Sequence, residues 1–300
     1  MQFTIPILHS AVTIMTPLLL ASMGGLFTEL SGMLNIALEG LLLTGAFSAV
    51  VFTYYTGSMV LGTLLGIGCT MLLSAILASV TLNLKSNVFI TGLAVNLFAS
   101  GLTVVLSFYL FANKGVVVFD TIATLPLLGP PSLAKIPILG DIFIGHSLFV
   151  YLSWLLLGLS YIVLYRTPFG FRVRATGLHP EALSTLGMRP DRYRFASFLI
   201  SGFTCGLGGA LLTLNLGAFV PNITAGKGWI ALVVIFLGNK TPIGLLIAAF
   251  IFGLADAFSN FAQGALNIPS DFILAIPYLF TLLAMVGSSI YAKKKGAIES

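Results

Sequence analysis

Apolar runs recur along this 300-residue chain at 8–27, 34–53, 59–81, 88–112, 146–165, 195–214, 229–238, 243–260 and 272–292, and all but one hold close to twenty residues. That is the length a helix needs to cross roughly 30 Å of hydrocarbon, where every backbone N–H and C=O must find its partner inside the protein. The pattern predicts an all-α polytopic membrane protein embedded in the lipid bilayer, with about nine spanning segments, or eight to ten if an interrupted segment is re-entrant. Only 8% of the residues are charged and 58% are hydrophobic, whereas about a quarter of a soluble domain is charged. The whole chain, 1–300, reads as one transmembrane domain.

The net charge of +5 and pI near 9.3 mark topology and not nucleic-acid binding, because no soluble face gathers the basic residues. Nine crossings with the C-terminus inside put Lys85, the six arginines between 166 and 194, Lys240 and Lys293 to Lys295 in the cytoplasm, leaving Lys114, Lys135 and Lys227 outside, as the positive-inside rule requires. Met1 to Leu8 contains no Lys or Arg and so lacks the basic start of a secretory signal, which reads the first run as a retained helix. Cys69 and Cys205 lie in apolar runs and read as packing residues.

Every arginine falls in the segment 166–194, whose Glu181 and Asp191 leave it at +4. Within it, Pro180 suits a first helical position, Glu181 the positive end of the helix dipole and Gly187 a stop, so 180–186 is expected to be a short helix. Pro190 limits its continuation. Two readings stand for the arginines: a solvated cytoplasmic loop, or a surface for an acidic partner.

Polar residues inside the apolar runs are the candidate substrate contacts. An intramembrane carboxylate costs about 2.5–3.5 kcal/mol on insertion scales, so Glu39 should face a cavity or a partner, unless it is shallow enough to reach water. Asn35 lies four residues earlier and is expected on the same helical face, where it could equally bond to a neighbouring helix. With Asn96 these two form the expected polar lining of a transport path, since amides and carboxylates can pair with the donor and acceptor edges of a polar heterocycle. Asp256, near the outer end of its run, reads more readily as an interfacial or packing residue. The ten residues Trp229 to Gly238 give about 15 Å of helix, too short to cross; a discontinuous helix broken at Gly238-Asn-Lys-Thr-Pro242 is expected, with a cytoplasmic turn as the other reading.

These motifs resemble those of one family. Glu181-Ala182-x4-Gly187 looks like the coupling loop of ABC importer permeases, with Leu183 where a second alanine is common. Gly32-x-x-Asn35-Ile-x-x-Glu39-Gly-x4-Gly45-Ala46 resembles the second segment of permeases that work with basic-membrane-protein lipoproteins, typically nucleoside importers. Gly92-Leu-Ala-Val-Asn96-Leu, Gly226-Lys-Gly-Trp229, Leu237-Gly-Asn-Lys-Thr-Pro242, Phe252-Gly-Leu-Ala-Asp256 and Ile276-Pro-Tyr-Leu-Phe extend the likeness over most of the chain, and 113–145 is its least similar part. The resemblance implies a type II-like ABC importer permease fold in a bacterial cytoplasmic membrane. It also implies a separate ABC ATPase subunit docked by Glu181, Ala182 and Gly187, an extracytoplasmic substrate-binding lipoprotein, and a second permease subunit, more often different than identical. Nucleosides are the expected cargo, with riboflavin-like heterocycles or simple sugars as alternatives.

Other function classes find less support. No Gly-x4-Gly-Lys-Ser/Thr loop is present, so ATP must be hydrolysed elsewhere. His9, His146 and His179 lack an i, i+4 partner, and no metal or cofactor is expected. Nothing resembles a catalytic serine elbow or carboxylate pair. A proton-coupled secondary transporter could use Glu39 and Asp256, but leaves the arginine loop without a role.

Overall fold

A computed structural model describes residues 4–119, 125–129, 143–265 and 286. Among the described residues seven helices are long and apolar enough to span a membrane: α1 (Thr4–Leu30), α2 (Leu38–Thr56), α3 (Met59–Asn83), α4 (Val88–Phe111), α5 (Leu148–Arg166), α8 (Pro190–Leu216) and α10 (Pro242–Ala265). Between them lie the shorter α6 (Pro168–Leu178), α7 (Pro180–Thr185) and α9 (Lys227–Leu237). The expected ninth segment, 272–292, lies outside the described residues.

Helix limits follow from local chemistry. Ser58 caps α3 by accepting from Leu61 N, and Asn87 caps α4 by accepting from Phe89 N and Ile90 N, filling donors that a helix start leaves orphaned. α2 ends on Gly57 at φ 67°, a left-handed conformation that glycine adopts at little cost.

The turns next to Lys85, the arginines and Lys240 meet at one end of the bundle. There Gly177 of α6 abuts Gly32, Arg194 Nε donates to Ser31 O at 3.4 Å, Lys240 Nζ pairs with Glu29 Oε1 at 2.7 Å, and the end of α3, just before Lys85, shares a groove with Gly187 and Arg189. At the far end two short antiparallel pairs close the bundle: β1 (Val117–Val118) with β4 (Ala218–Phe219), and β2 (Leu127–Leu128) with β3 (His146–Ser147).

The core is built around α8. A Cβ added at Gly202 or Gly206 would lie 2.8 Å from Ser74 Cβ or 2.9 Å from Ile67 Cα of α3, and one at Gly209 only 2.2 Å from Leu42 O of α2. The small-residue row of α8 therefore packs against this chain's own helices, by the close backbone approach that small residues permit in membranes.

The structure adds detail at three places. Pro190 occupies the first turn of α8 and starts that helix. Pro168 does the same for α6, a helix hidden from a hydropathy reading by its arginines, with Thr167 accepting from Gly170 N. The interruption at 238–241 reverses the chain: Gly25 lies against Ile235 of α9 while Gly253 of α10 lies against Ala11 and Met15, so α9 and α10 run in opposite directions.

Candidate functional site

Two helices begin inside the bundle, not at its surface. From the turn at 238–241, beside Glu29, α9 rises for eleven residues, about 16 Å or half a hydrocarbon core. Its first turn meets the first turn of α2, where a Cβ at Gly228 would sit 2.3 Å from Glu39 N. A helix start carries orphan N–H groups and partial positive charge, which in hydrocarbon must be answered by protein.

Distant side chains supply those answers. Neither Ala37 before α2 nor Gly226 before α9 has a capping side chain of its own. Glu39 takes the α9 start: its Oε1 accepts from Gly226 N at 2.8 Å and from the Thr224 hydroxyl, and its Oε2 accepts from Gly228 N at 2.6 Å. Asn96, on α4, accepts from Gly40 N at 2.7 Å and donates to Ile36 O at 2.9 Å. Asn35 donates to Ser201 Oγ of α8 at 2.9 Å and accepts from Ala37 N at 3.0 Å.

The three candidate pathway residues thus gather around the start of α2, and each has a polar partner within the protein. Asn35 is 1% exposed, whereas Glu39 and Asn96 are half-buried. Asn35 and Glu39 do not share a helical face as expected, because 31–37 is not helical and α2 begins only at Leu38.

On the other side of the α9 start lies a cavity of about 250 Å³ bounded by α1, α8, α9 and α10, with Lys227 and Asp256 among its lining residues. Sequence reasoning missed Lys227, which it left in an outer loop; the structure makes it the first residue of α9, level with Glu39. The signal was the motif Gly226-Lys-Gly228, since glycines on both sides of a lysine allow the close approach of another backbone.

At the basic end, α7 stands out from the bundle on one anchor. Leu183 is buried while Glu181, Ala182 and Gly187 are exposed. Gly187 has φ 74°, and Met188 N donates to Leu183 O at 3.1 Å, the left-handed stop expected from the sequence. Arg189 and Arg192 beside it are exposed, whereas Arg174 stacks at 4.7 Å over the Tyr165 ring.

Comparison with known proteins agrees with this architecture. The family model described as the permease component of branched-chain amino acid transport systems matches residues 7–287. The chain is 35% identical to the nucleoside ABC transporter permease protein NupC of Lactococcus lactis, over 94% of this chain and 92% of the relative. It is 34% identical to the guanosine ABC transporter permease protein NupQ of Bacillus subtilis, over 90% and 88%. A protein of Haloferax volcanii described as a glucose ABC transporter permease is also 34% identical, over 88% and 79%. In fold, the chain is similar to a solved structure described as a metal-chelate type ABC transporter in an inward-facing conformation, with a TM-score of 0.55 at 17% identity over 94% of this chain and 85% of that one. The chain belongs to the ABC transporter permease family whose model bears the branched-chain amino acid transport description.

Proposed function

We propose that this protein is a membrane-spanning subunit of an ATP-driven nucleoside importer. The observation that carries the reading is the match, over nine-tenths of both chains or nearly so, to NupC and NupQ, which are described as nucleoside and guanosine permeases. In this reading the basic end and the C-terminus face the cytoplasm, following the positive-inside rule. A separate ABC ATPase supplies the energy, a lipoprotein delivers the substrate from outside, and a second, different permease completes the path. The Haloferax relative favours a second cargo, a simple sugar.

Glu181, Ala182 and Gly187 form the ATPase contact. A six-residue helix held by Leu183 and leaving Glu181 and Ala182 outward is well shaped to enter a groove and to transmit its movement through α6, packed on Gly32, to the start of α2. Asn35, Glu39 and Asn96 border the path where these helix starts meet, and hold α2 and α9 in register for the conformational cycle.

ATP-driven uptake of radiolabelled uridine, guanosine and glucose by the four-component transporter in proteoliposomes tests this. Nucleoside uptake that stops without ATP and is unaffected by collapsing the proton gradient is expected. Glucose uptake alone would move the cargo to sugars, and uptake that persists without ATP would overturn the ABC mechanism. Glu181→Arg is expected to abolish uptake while the permease still inserts and folds, because the residue is exposed.

A further inference from the structure

The cavity beside the start of α9 brings two opposite charges to one wall. Lys227 and Asp256 both line it, together with Thr13, Asn215 and Asn260. Asp256 lies 14 residues along α10 from the basic end, about 21 Å, so the cavity sits in the half of the bundle away from the proposed ATPase contact. Among the described residues neither charged side chain makes a hydrogen bond or ion pair, the ion pairs there being Arg194–Asp191 and Lys240–Glu29. Opposite charges inside a membrane protein ordinarily close on each other. Here both line one cavity of mixed polar and apolar wall, with no ion pair between them.

The lining also selects among ligands. Among the described residues around the cavity none is aromatic, so none of these offers a ring on which a nucleobase could stack. At about 250 Å³ it falls just below the ~300 Å³ at which pockets for drug-sized ligands begin. A carboxylate only accepts hydrogen bonds, an ammonium only donates, and an amide does both, a set matched by hydroxyl groups, which also do both.

We propose that this cavity is a subsite of the transport path for a polyhydroxylated ring, taking the ribose of a nucleoside. Asp256 accepts from the vicinal 2′ and 3′ hydroxyls, Lys227 donates to a ring or hydroxyl oxygen, and Asn215 and Asn260 fill the remaining bonds. Because Lys227 stands between Gly226 and Gly228, whose N–H groups bind Glu39, an occupant touching Lys227 lies one residue from the junction of α9 with α2. This inference rests on the importer reading, but its chemistry is shared by a nucleoside and a free sugar.

The test uses the complete transporter in proteoliposomes, with saturating uridine, 2′,3′-dideoxyuridine or glucose, and compares the wild type with Asp256→Asn and Lys227→Gln. Asp256→Asn is expected to lower maximal uridine uptake about tenfold, with unchanged amounts of assembled complex and unchanged basal ATP hydrolysis. Dideoxyuridine uptake should fall much less, since that analogue has no diol to lose. Should Asp256→Asn fail to assemble, Lys227→Gln carries the same comparison. Wild-type uptake rates in both variants, or an equal loss for uridine and its dideoxy analogue, would overturn the subsite. A wild-type complex that imports glucose and not uridine removes the nucleoside reading alone, and a tenfold loss of glucose uptake in Asp256→Asn would then support the subsite with a free sugar as its occupant. Import of neither contradicts both.

Discussion

Glu39 and Asp256 are two carboxylates at comparable depth in one bundle, and their surroundings are opposite. Glu39 is bonded through both oxygens, to Gly226 N, Gly228 N and the Thr224 hydroxyl, and so neutralises the positive start of a half-length helix. Asp256 lines a cavity, and among the described residues no hydrogen bond or ion pair holds it. A charge in hydrocarbon is expensive in either place. Where protein hydrogen bonds answer it, the carboxylate holds structure; at Asp256 the Lys227 charge and whatever fills the cavity remain to answer it.

The contrast breaks first at Glu39. Replacing it with alanine leaves two backbone donors and the buried Thr224 hydroxyl unpaired at the start of α9, and each buried donor left unpaired costs about 1–3 kcal/mol. We expect Glu39→Ala to lose most of its assembled protein, measured by size-exclusion chromatography of a fluorescent fusion; full recovery would show that α9 does not depend on this cap. Next comes Gly228→Ala. Its Cβ would meet Glu39 N at 2.3 Å, and overpacking of this kind costs typically 1–3 kcal/mol, so a lower thermal midpoint with partial assembly is expected. Least affected should be Lys240→Ala. Its ion pair with Glu29 has one partner 46% exposed, and such pairs contribute roughly 0–1 kcal/mol; a loss of folded protein there would mean that the turn, not the junction, positions α9.

How much of this was legible in the sequence depends on where each residue's partner lies. The spans 59–81 and 88–112 agree with α3 and α4 within two residues at each end, because Ser58 and Asn87 cap their own neighbours. Gly187 as the stop of α7 is equally local. By contrast, Asn35 looked helical because apolar content cannot distinguish the non-helical 31–37 from the helix that follows. Glu39 was recognisable as a costly charge, but the groups that satisfy it are 185–189 positions away. α6 went unseen because arginines lower its hydropathy, although Thr167-Pro168 carries a helix-start signal. Asp256 and Lys227 come together only through the packing of α9 and α10, which no spacing along the chain encodes.

The division between a carboxylate that holds and one that receives is most directly tested by thermal unfolding of the assembled permease pair in lipid nanodiscs, comparing Glu39→Gln with Asp256→Asn. Glutamine keeps one acceptor oxygen and turns the other position into a donor that faces a backbone N–H, whereas asparagine at 256 removes a charge that no hydrogen bond from the described residues holds, with only the Lys227 ammonium acting on it across the cavity. The account predicts a midpoint several degrees lower for Glu39→Gln, with Asp256→Asn at or above the wild type. Equal destabilisation of the two variants, or a larger loss for Asp256→Asn, would contradict it.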